Sequence, residues 1–273
     1  MTQGSGSGAP RFPLALDRVG RSGVRAPQRQ PLRPQRLLHE AAQDAARQVT
    51  PSGLGLDSAL VRSRMVDRLR IEGIRCEPVL AAMALVPRHA FVDSALANQA
   101  YEDTSLPIGH GQTISKPWVV ARMIELLFDG AHARAGAGLG RVLEIGTGCG
   151  YQTALLAQLS RHIVSIERLR PLYDKALDNL APWRAHHVRL IHGDGRLGHA
   201  PHAPYDSIIA AAGGAELPEA WLDQLALGGR LVAPMQGADG RGQVLMVVDR
   251  GAAGCTRSQH EAVHFVPLKS GIA

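Results

Sequence analysis

A chain of 273 residues, 45% apolar but only 4% aromatic, with 30 glycines and 17 prolines, can bury one large core or two small ones made of small aliphatic side chains, the profile of an α/β protein. Collagen and coiled coil are excluded; three scattered cysteines without a C-x-x-C pair argue against a disulfide framework or structural zinc, and a reducing compartment is expected. The formal charge of +6 belongs to one end: residues 1–53 hold eight Arg against three acids, while the remainder is nearly neutral, which speaks against nucleic acid as the partner.

The first segment, with Gly, Pro and Arg spaced so that no period survives, reads as a disordered basic tail over 1–53. It lacks the apolar stretch of a signal peptide, and it is too poor in Ser to resemble an organellar transit peptide closely. A marginal Ala-rich helical stripe runs from Arg36 to Val49 and stops at Thr50-Pro51-Ser52-Gly53. Asp57 then caps a helix expected through Arg70, with Leu60, Val61, Met65 and Leu69 on its apolar side, and a second helix spans Glu77 to Leu85. A polar loop follows over Tyr101 to Gln112. A third helix begins at Pro117, where proline suits a first helical position, and residues 129–140 form a Gly/Ala linker.

Five β-branched runs come next, Val142 to Ile145, Ile163 to Glu167, Val188 to Ile191, Ser207 to Ala210 and Arg230 to Ala233, separated by helices around 151–160, 170–181 and 217–226. This alternation predicts a parallel, doubly wound sheet. Gln243 to Asp249 and His264 to Val266 leave no room for crossover helices, so the sheet is expected to finish in an antiparallel hairpin. Apolar runs such as Ile208 to Ala212 are far shorter than the ~20 residues of a membrane span, so a soluble, cytoplasmic chain without membrane contact is expected.

In such a sheet the ligand lies beyond the carboxyl ends of the strands. The first strand-to-helix turn there reads Glu144-Ile145-Gly146-Thr147-Gly148-Cys149-Gly150, and Glu167 ends the next strand 21 residues after Gly146, the spacing at which a carboxylate accepts from ribose hydroxyls. The dinucleotide fingerprint would need glycine at position 151, which is Tyr151. That departure, and Glu144 as compensation for a cationic ligand, lean towards S-adenosylmethionine. A third acid, Asp194, sits in His192-Gly193-Asp194-Gly195-Arg196 where it could bind an adenine amino group.

The stretch Leu106-Pro107-Ile108-Gly109-His110-Gly111-Gln112-Thr113-Ile114-Ser115-Lys116-Pro117, with Val86-Pro87-Arg88-His89-Ala90-Phe91 and Ala100-Tyr101-Glu102-Asp103 before it, resembles the protein-L-isoaspartate O-methyltransferase family; so do LEIGTGCGYQTALLA, GDGR, APYDSII, LGGRLVAPM and the closing Phe265-Val266-Pro267-Leu268. The resemblance spans about 56–268 in order. It implies an α/β fold, a doubly wound, Rossmann-like adenosylmethionine-dependent methyltransferase sheet with N-terminal helices and a C-terminal antiparallel hairpin, occupying 54–273. It also implies methyl transfer from S-adenosyl-L-methionine to the free α-carboxylate of L-isoaspartyl residues in damaged proteins, whose ester then closes to a succinimide. By the same resemblance Ser115 is the active-site hydroxyl and, with Ile114, touches the cofactor; Glu144, Gly146 and Gly148 form the cofactor loop, Glu167 meets the ribose, and Asp194 and Gly195 the adenine end. Lys116 departs from the family's usual glutamine or small residue. Isoaspartyl proteins and peptides are the expected partners, and a monomer is expected.

A carboxylate nucleophile is already ionised at neutral pH, since its pKa lies near 4, so the chemistry needs orientation rather than a strong base. Ser115 suits that role. It also stands two residues before Pro117 at a helix start, a capping environment, and residue chemistry alone favours the cap. The histidines 186, 187, 192, 199 and 202 fit no metal-ligand spacing, Cys149 reads as a small residue in a tight turn, and Trp118 and Trp221 read as core anchors. Two other readings remain: a base methyltransferase, which would want an Asn/Asp-Pro-Pro-aromatic motif where Ala210-Ala211-Ala212-Gly213-Gly214 stands, and a binding module without turnover, against which the intact acids and Ser115 argue.

Overall fold

The computed structural model describes residues 59–183 and 186–273. The stripe expected over 36–49 and the Asp57 cap lie outside the described residues. Helix α1 (Ala59–Ile71) buries Met65, Val66 and Leu69, but Leu60 is 53% exposed. At 100° per residue Leu60 falls about 140° around the helix from Met65, on the far side from the core, which corrects its expected place on the apolar face. Helix α2 (Glu77–Leu85) follows as predicted.

The expected loop 101–112 is partly sheet. Strands β1 (Leu106–Gly109) and β2 (Gln112–Ile114) pair antiparallel, with Leu106 opposite Ile114 and Pro107 opposite Thr113. Leu106 and Ile108 are buried between exposed Pro107 and Gly109, so a period of two is present but hidden by residues that read as turn formers. His110 at the tip has φ 54°, a left-handed conformation unusual outside glycine. Helix α3 (Pro117–Phe128) is buried over most of its length, and the linker after it contains one helical turn, Ala133–Ala137.

Then come β3 (Arg141–Ile145), α4 (Tyr151–Ala157), β4 (His162–Glu167), α5 (Arg170–Leu180), β5 (Val188–His192), β6 (Tyr205–Ala210), α6 (Glu219–Gln224), β7 (Leu225–Gln236), β8 (Gln243–Gly251) and β9 (Gly254–Val263). They build one sheet in the order β5-β4-β3-β6-β7-β8-β9. β5, β4, β3, β6 and β7 run parallel, and β8 and β9 are antiparallel additions. Neighbours along each central strand go to opposite faces. Val142, Ile163, Ile209 and Val232 join the layer containing α1 to α4, while Leu143, Val164, Ile208 and Leu231 pack with Trp221 of α6. Burial on both faces is why these strands read as unbroken apolar runs.

The last strand lies earlier in the chain than the run 264–266 predicts. The hairpin's second arm is Gly254–Val263 rather than His264 to Val266. β9 is an edge strand with nearly every residue exposed, so Thr256-Arg257-Ser258-Gln259 shows no apolar alternation to read. Residues 264–268 run past the sheet instead: Val266 O accepts from Gly213 N–H (2.8 Å), and Leu268 N–H donates to Gly213 O (2.7 Å).

Candidate active site

The strand order reverses between β3 and β6, each with its continuation on the outer side, and a cleft of about 350 Å³ opens beyond their carboxyl ends. Its floor is the turn from β3 into α4. Gly146, Gly148 and Gly150 have φ of 90°, 57° and 90°, which side chains with a Cβ rarely adopt, so the alternating glycines let the backbone double back. Gly146 N–H donates to Ile166 O (2.8 Å), tying the turn to β4.

Six of the eight expected site residues lie in the cleft wall: Ile114, Ser115, Gly146, Gly148, Glu167 and Gly195. Glu167, 5% exposed, ends β4; its Oε2 accepts from Gly148 N–H and its Oε1 from Leu169 N–H, both at 2.9 Å. A carboxylate offers about four acceptor positions, so each oxygen keeps capacity for a hydroxyl in the cleft. At Gly195 a Cβ would stand 2.5 Å from Cγ2 of Ile145, and the Gly195 carbonyl accepts from Trp221 Nε1 (2.8 Å). Its contribution is shape. An S-adenosyl group fits this donor and acceptor set: an acidic acceptor pair beside backbone stripped of Cβ atoms.

Glu144 and Asp194, also expected at the site, are not among the residues that line the wall. Glu144 is fully buried beneath the turn, where its carboxylate accepts from Thr153 Oγ1 (2.5 Å), Ser165 Oγ (2.6 Å) and Gln152 Nε2 (3.0 Å). These bonds brace the start of α4 against β3 and β4. Burial raises the Glu144 pKa to about 7, against the pull of the three donors. A carboxyl held above its unfolded value contributes stability that is complete below pH 4.5 and is lost as pH rises to about 7. Glu144→Gln should therefore gain on the parent by roughly 3 kcal/mol as pH rises across that window. Urea unfolding of both proteins at pH 5 and pH 8 checks this, and an equal difference at the two pH values contradicts it.

Asp194 is committed to main-chain donors: Oδ1 accepts from Arg196 N–H (2.9 Å), capping the turn Gly195–Leu197, and Oδ2 accepts from Gly271 N–H (2.6 Å). It holds the closing segment against the end of β5. That segment supplies wall residues for which the sequence offered no periodic signal, Val266 to Lys269. Ile108 and Cys149 also line the cleft, and burial raises the Cys149 thiol pKa.

Ser115 is half-buried, and its hydroxyl makes no hydrogen bond to any described residue. The capping role that residue chemistry favoured is filled elsewhere. The N-cap position of α3 is Lys116, without a side-chain cap of its own, and the Trp118 N–H donates to Asp103 Oδ1 (2.9 Å). Trp221 is fully buried, whereas Trp118 is only half-buried with Nε1 on Glu72 O (3.3 Å). The histidines serve locally: His192 Nε2 meets Arg168 O (3.2 Å) and His199 stacks on His202.

A glycine turn with an acid at the next strand end is shared by enzymes of many substrates, and the comparisons narrow the choice. A protein-L-isoaspartate(D-aspartate) O-methyltransferase family model matches residues 60–273. A protein-L-isoaspartate O-methyltransferase of Methylibium petroleiphilum is 67% identical over 267 residues, 96% of this chain and 97% of that one. One from Leptothrix cholodnii is 58% identical over 269 residues, 96% and 94% of the two chains. Among solved structures, a protein-L-isoaspartate O-methyltransferase superposes with TM-score 0.68 at 27% identity, covering 77% of this chain and 67% of that one. A Plasmodium falciparum candidate for the same enzyme, in complex with S-adenosyl-L-homocysteine, superposes with TM-score 0.64 at 25% identity over 76% of this chain and 98% of that one. The match takes in the hairpin, the glycine turn and the closing segment that together wall the cleft, and on that ground the chain belongs to the protein-L-isoaspartate(D-aspartate) O-methyltransferase family.

Proposed function

We propose that this chain methylates the free α-carboxylate of L-isoaspartyl residues, at a site formed by Ser115 on one side of the cleft and by the glycine turn with Glu167 on the other. S-adenosyl-L-methionine supplies the methyl group. The observation that carries the assignment of roles is the uncommitted Ser115 hydroxyl lining the same cleft as the Glu167 acceptors. Ser115 would donate to one carboxylate oxygen and leave the other free to attack the methyl carbon that S-adenosyl-L-methionine would supply, the electron pair of the broken carbon–sulfur bond staying on sulfur. No proton changes hands. The apolar wall, Ile108, Ile114 and Val266 among it, excludes competing water. Closure of the ester by the neighbouring backbone nitrogen, with loss of methanol, yields the succinimide, and its hydrolysis returns part of the material as normal aspartate.

The end of β6 offers Ala211 and Ala212 to the cleft, small side chains with no carbonyl to receive an amino group's hydrogens, which supports a carboxylate acceptor over a nucleic-acid base. No helix among the described residues is long and apolar enough to cross a membrane. We place the enzyme in the cytoplasm, as a monomer without nucleic-acid partners, and take 54–273 as its catalytic domain with 1–53 a dispensable tail. The family match begins at residue 60, although the two relatives align into the preceding segment.

Radiolabelled methyl transfer to an isoaspartyl peptide, its aspartyl twin and RNA tests the assignment. Label is expected on the isoaspartyl peptide alone, with base-labile ester chemistry. A chain starting at Leu54 should keep its kcat within tenfold, a barrier change of about 1.4 kcal/mol. Label on RNA, or on both peptides equally, contradicts the acceptor assignment.

A further inference from the structure

The hydroxyl of Ser115 must be held at a fixed distance from the glycine turn, yet the three-residue strand before it and the proline after it leave its loop few internal bonds. One carboxylate outside the loop secures it. Asp103 Oδ1 accepts from Trp118 N–H (2.9 Å), supplying the cap that Lys116 lacks, and Oδ2 pairs with Lys116 Nζ (3.1 Å). The ammonium also stands 5.5 Å from the centroid of the Trp118 ring. Both flanks of the helix start that follows Ser115 are therefore held from 103.

Asp103 is itself held. Arg88 is completely buried, and its guanidinium hydrogen bonds run to main-chain carbonyls at the two ends of the Asp103 loop: Nε to Ala100 O (2.7 Å) and Nη2 to Thr104 O (3.4 Å). The same guanidinium lies 5.0 Å from the centroid of Tyr151, the first residue of α4 after the glycine turn. A buried cation that holds one loop through Nε and Nη2, with Nη1 left without a partner among the described residues, and lays its face on the first residue of the helix behind the turn links the loop to that helix.

We propose that Asp103 is a positioning residue for the methyl acceptor: through Lys116 and the Trp118 amide it sets where Ser115 stands relative to the glycine turn, with Arg88 as the fixed point behind it. This rests on the isoaspartyl reading of the site. Asp103 is not among the residues that line the cleft.

The test is steady-state kinetics on an isoaspartyl peptide together with calorimetry of S-adenosylhomocysteine, for the full chain and for Asp103→Ala, Asp103→Asn and Lys116→Gln. Asp103→Ala is expected to raise the peptide KM roughly tenfold and lower kcat, with the S-adenosylhomocysteine Kd within about twofold. Asp103→Asn keeps an acceptor for the Trp118 amide and should recover part of the loss. Lys116→Gln removes only the ion pair and should raise KM by a few-fold. A purely structural role would reduce the amount of active enzyme and leave KM alone. Unchanged KM in any folded Asp103 variant, or S-adenosylhomocysteine affinity falling in step with KM, overturns the proposal. If Asp103→Ala does not fold, Asp103→Asn and Lys116→Gln decide by the same criteria. Absence of isoaspartyl turnover in the parent chain overturns the acceptor assignment itself, an outcome distinct from normal parent turnover with unaltered variants.

Discussion

Ser115→Ala is expected to lower kcat/KM for an isoaspartyl peptide by roughly ten- to a thousandfold, combining loss of a charge-assisted hydrogen bond with a misaligned nucleophile. The protein should scarcely notice thermodynamically. Because Asp103 caps the helix that follows and the Ser115 hydroxyl has no partner among the described residues, removing it should shift stability by no more than about 0.5 kcal/mol. Had Ser115 been the cap, the same change would cost ~1 kcal/mol and leave turnover nearly intact. Thermal unfolding and kinetics on Ser115→Ala and Ser115→Thr separate these outcomes. The threonine variant should retain more activity than the alanine one, and a destabilised but fully active Ser115→Ala would remove the hydroxyl from the site.

The second large effect is at Glu167, where Glu167→Gln should weaken S-adenosylmethionine binding about ten- to a hundredfold, the value of a charge-assisted acceptor of ~1.5–3 kcal/mol. Here the geometry adds a second consequence. Both carboxylate oxygens already accept backbone N–H groups, from Gly148 and from Leu169, and a glutamine amide can accept at only one of its two ends. Its NH₂ would face a backbone donor, so a stability loss of about 1–3 kcal/mol should accompany the loss of affinity. Titration calorimetry and thermal unfolding measured together give both numbers. Unchanged affinity would take the ribose role away from Glu167, whatever happened to the melting temperature.

The contrast between the three acids at strand ends explains how far a linear reading could go. All three were legible as carboxylates at or near strand ends, but their spacing does not say which ones a cleft will expose. Glu144 is one residue short of the end of β3, so it projects under α4, where Gln152 and Thr153 enclose it. Glu167 is the last residue of β4, beyond the cover of a helix, and reaches the cleft. Asp194 lies two residues past β5 and is taken by the main chain of Arg196 and Gly271. Glu144 pairs with Ser165 across β3 and β4, so Glu144 and Glu167 share one face of the sheet and differ only in how far along it they stand: one lies under α4 as an internal brace, the other reaches past it to the cleft.

The sequence by itself determined the five parallel strands, their helices and the glycine turn, because each is a local signal: unbroken apolar runs for strands covered on both faces, proline at helix starts, and glycines where the backbone must turn left-handed. It also carried the family resemblance. Tertiary structure alone decided what caps α3, where Asp103 acts across 15 residues, and what closes the cleft, where Arg168 Nε binds Gly271 O (2.9 Å) across 103 residues. Neither contact leaves a periodic trace, since one polar side chain meeting a distant main-chain group constrains no neighbour in sequence. The polar edge strand β9 was decided there too, since a strand with little apolar surface to bury takes its register from the partner it pairs with, while in the hairpin β1–β2 the alternation of Leu106 and Ile108 was masked by the proline and glycines around them.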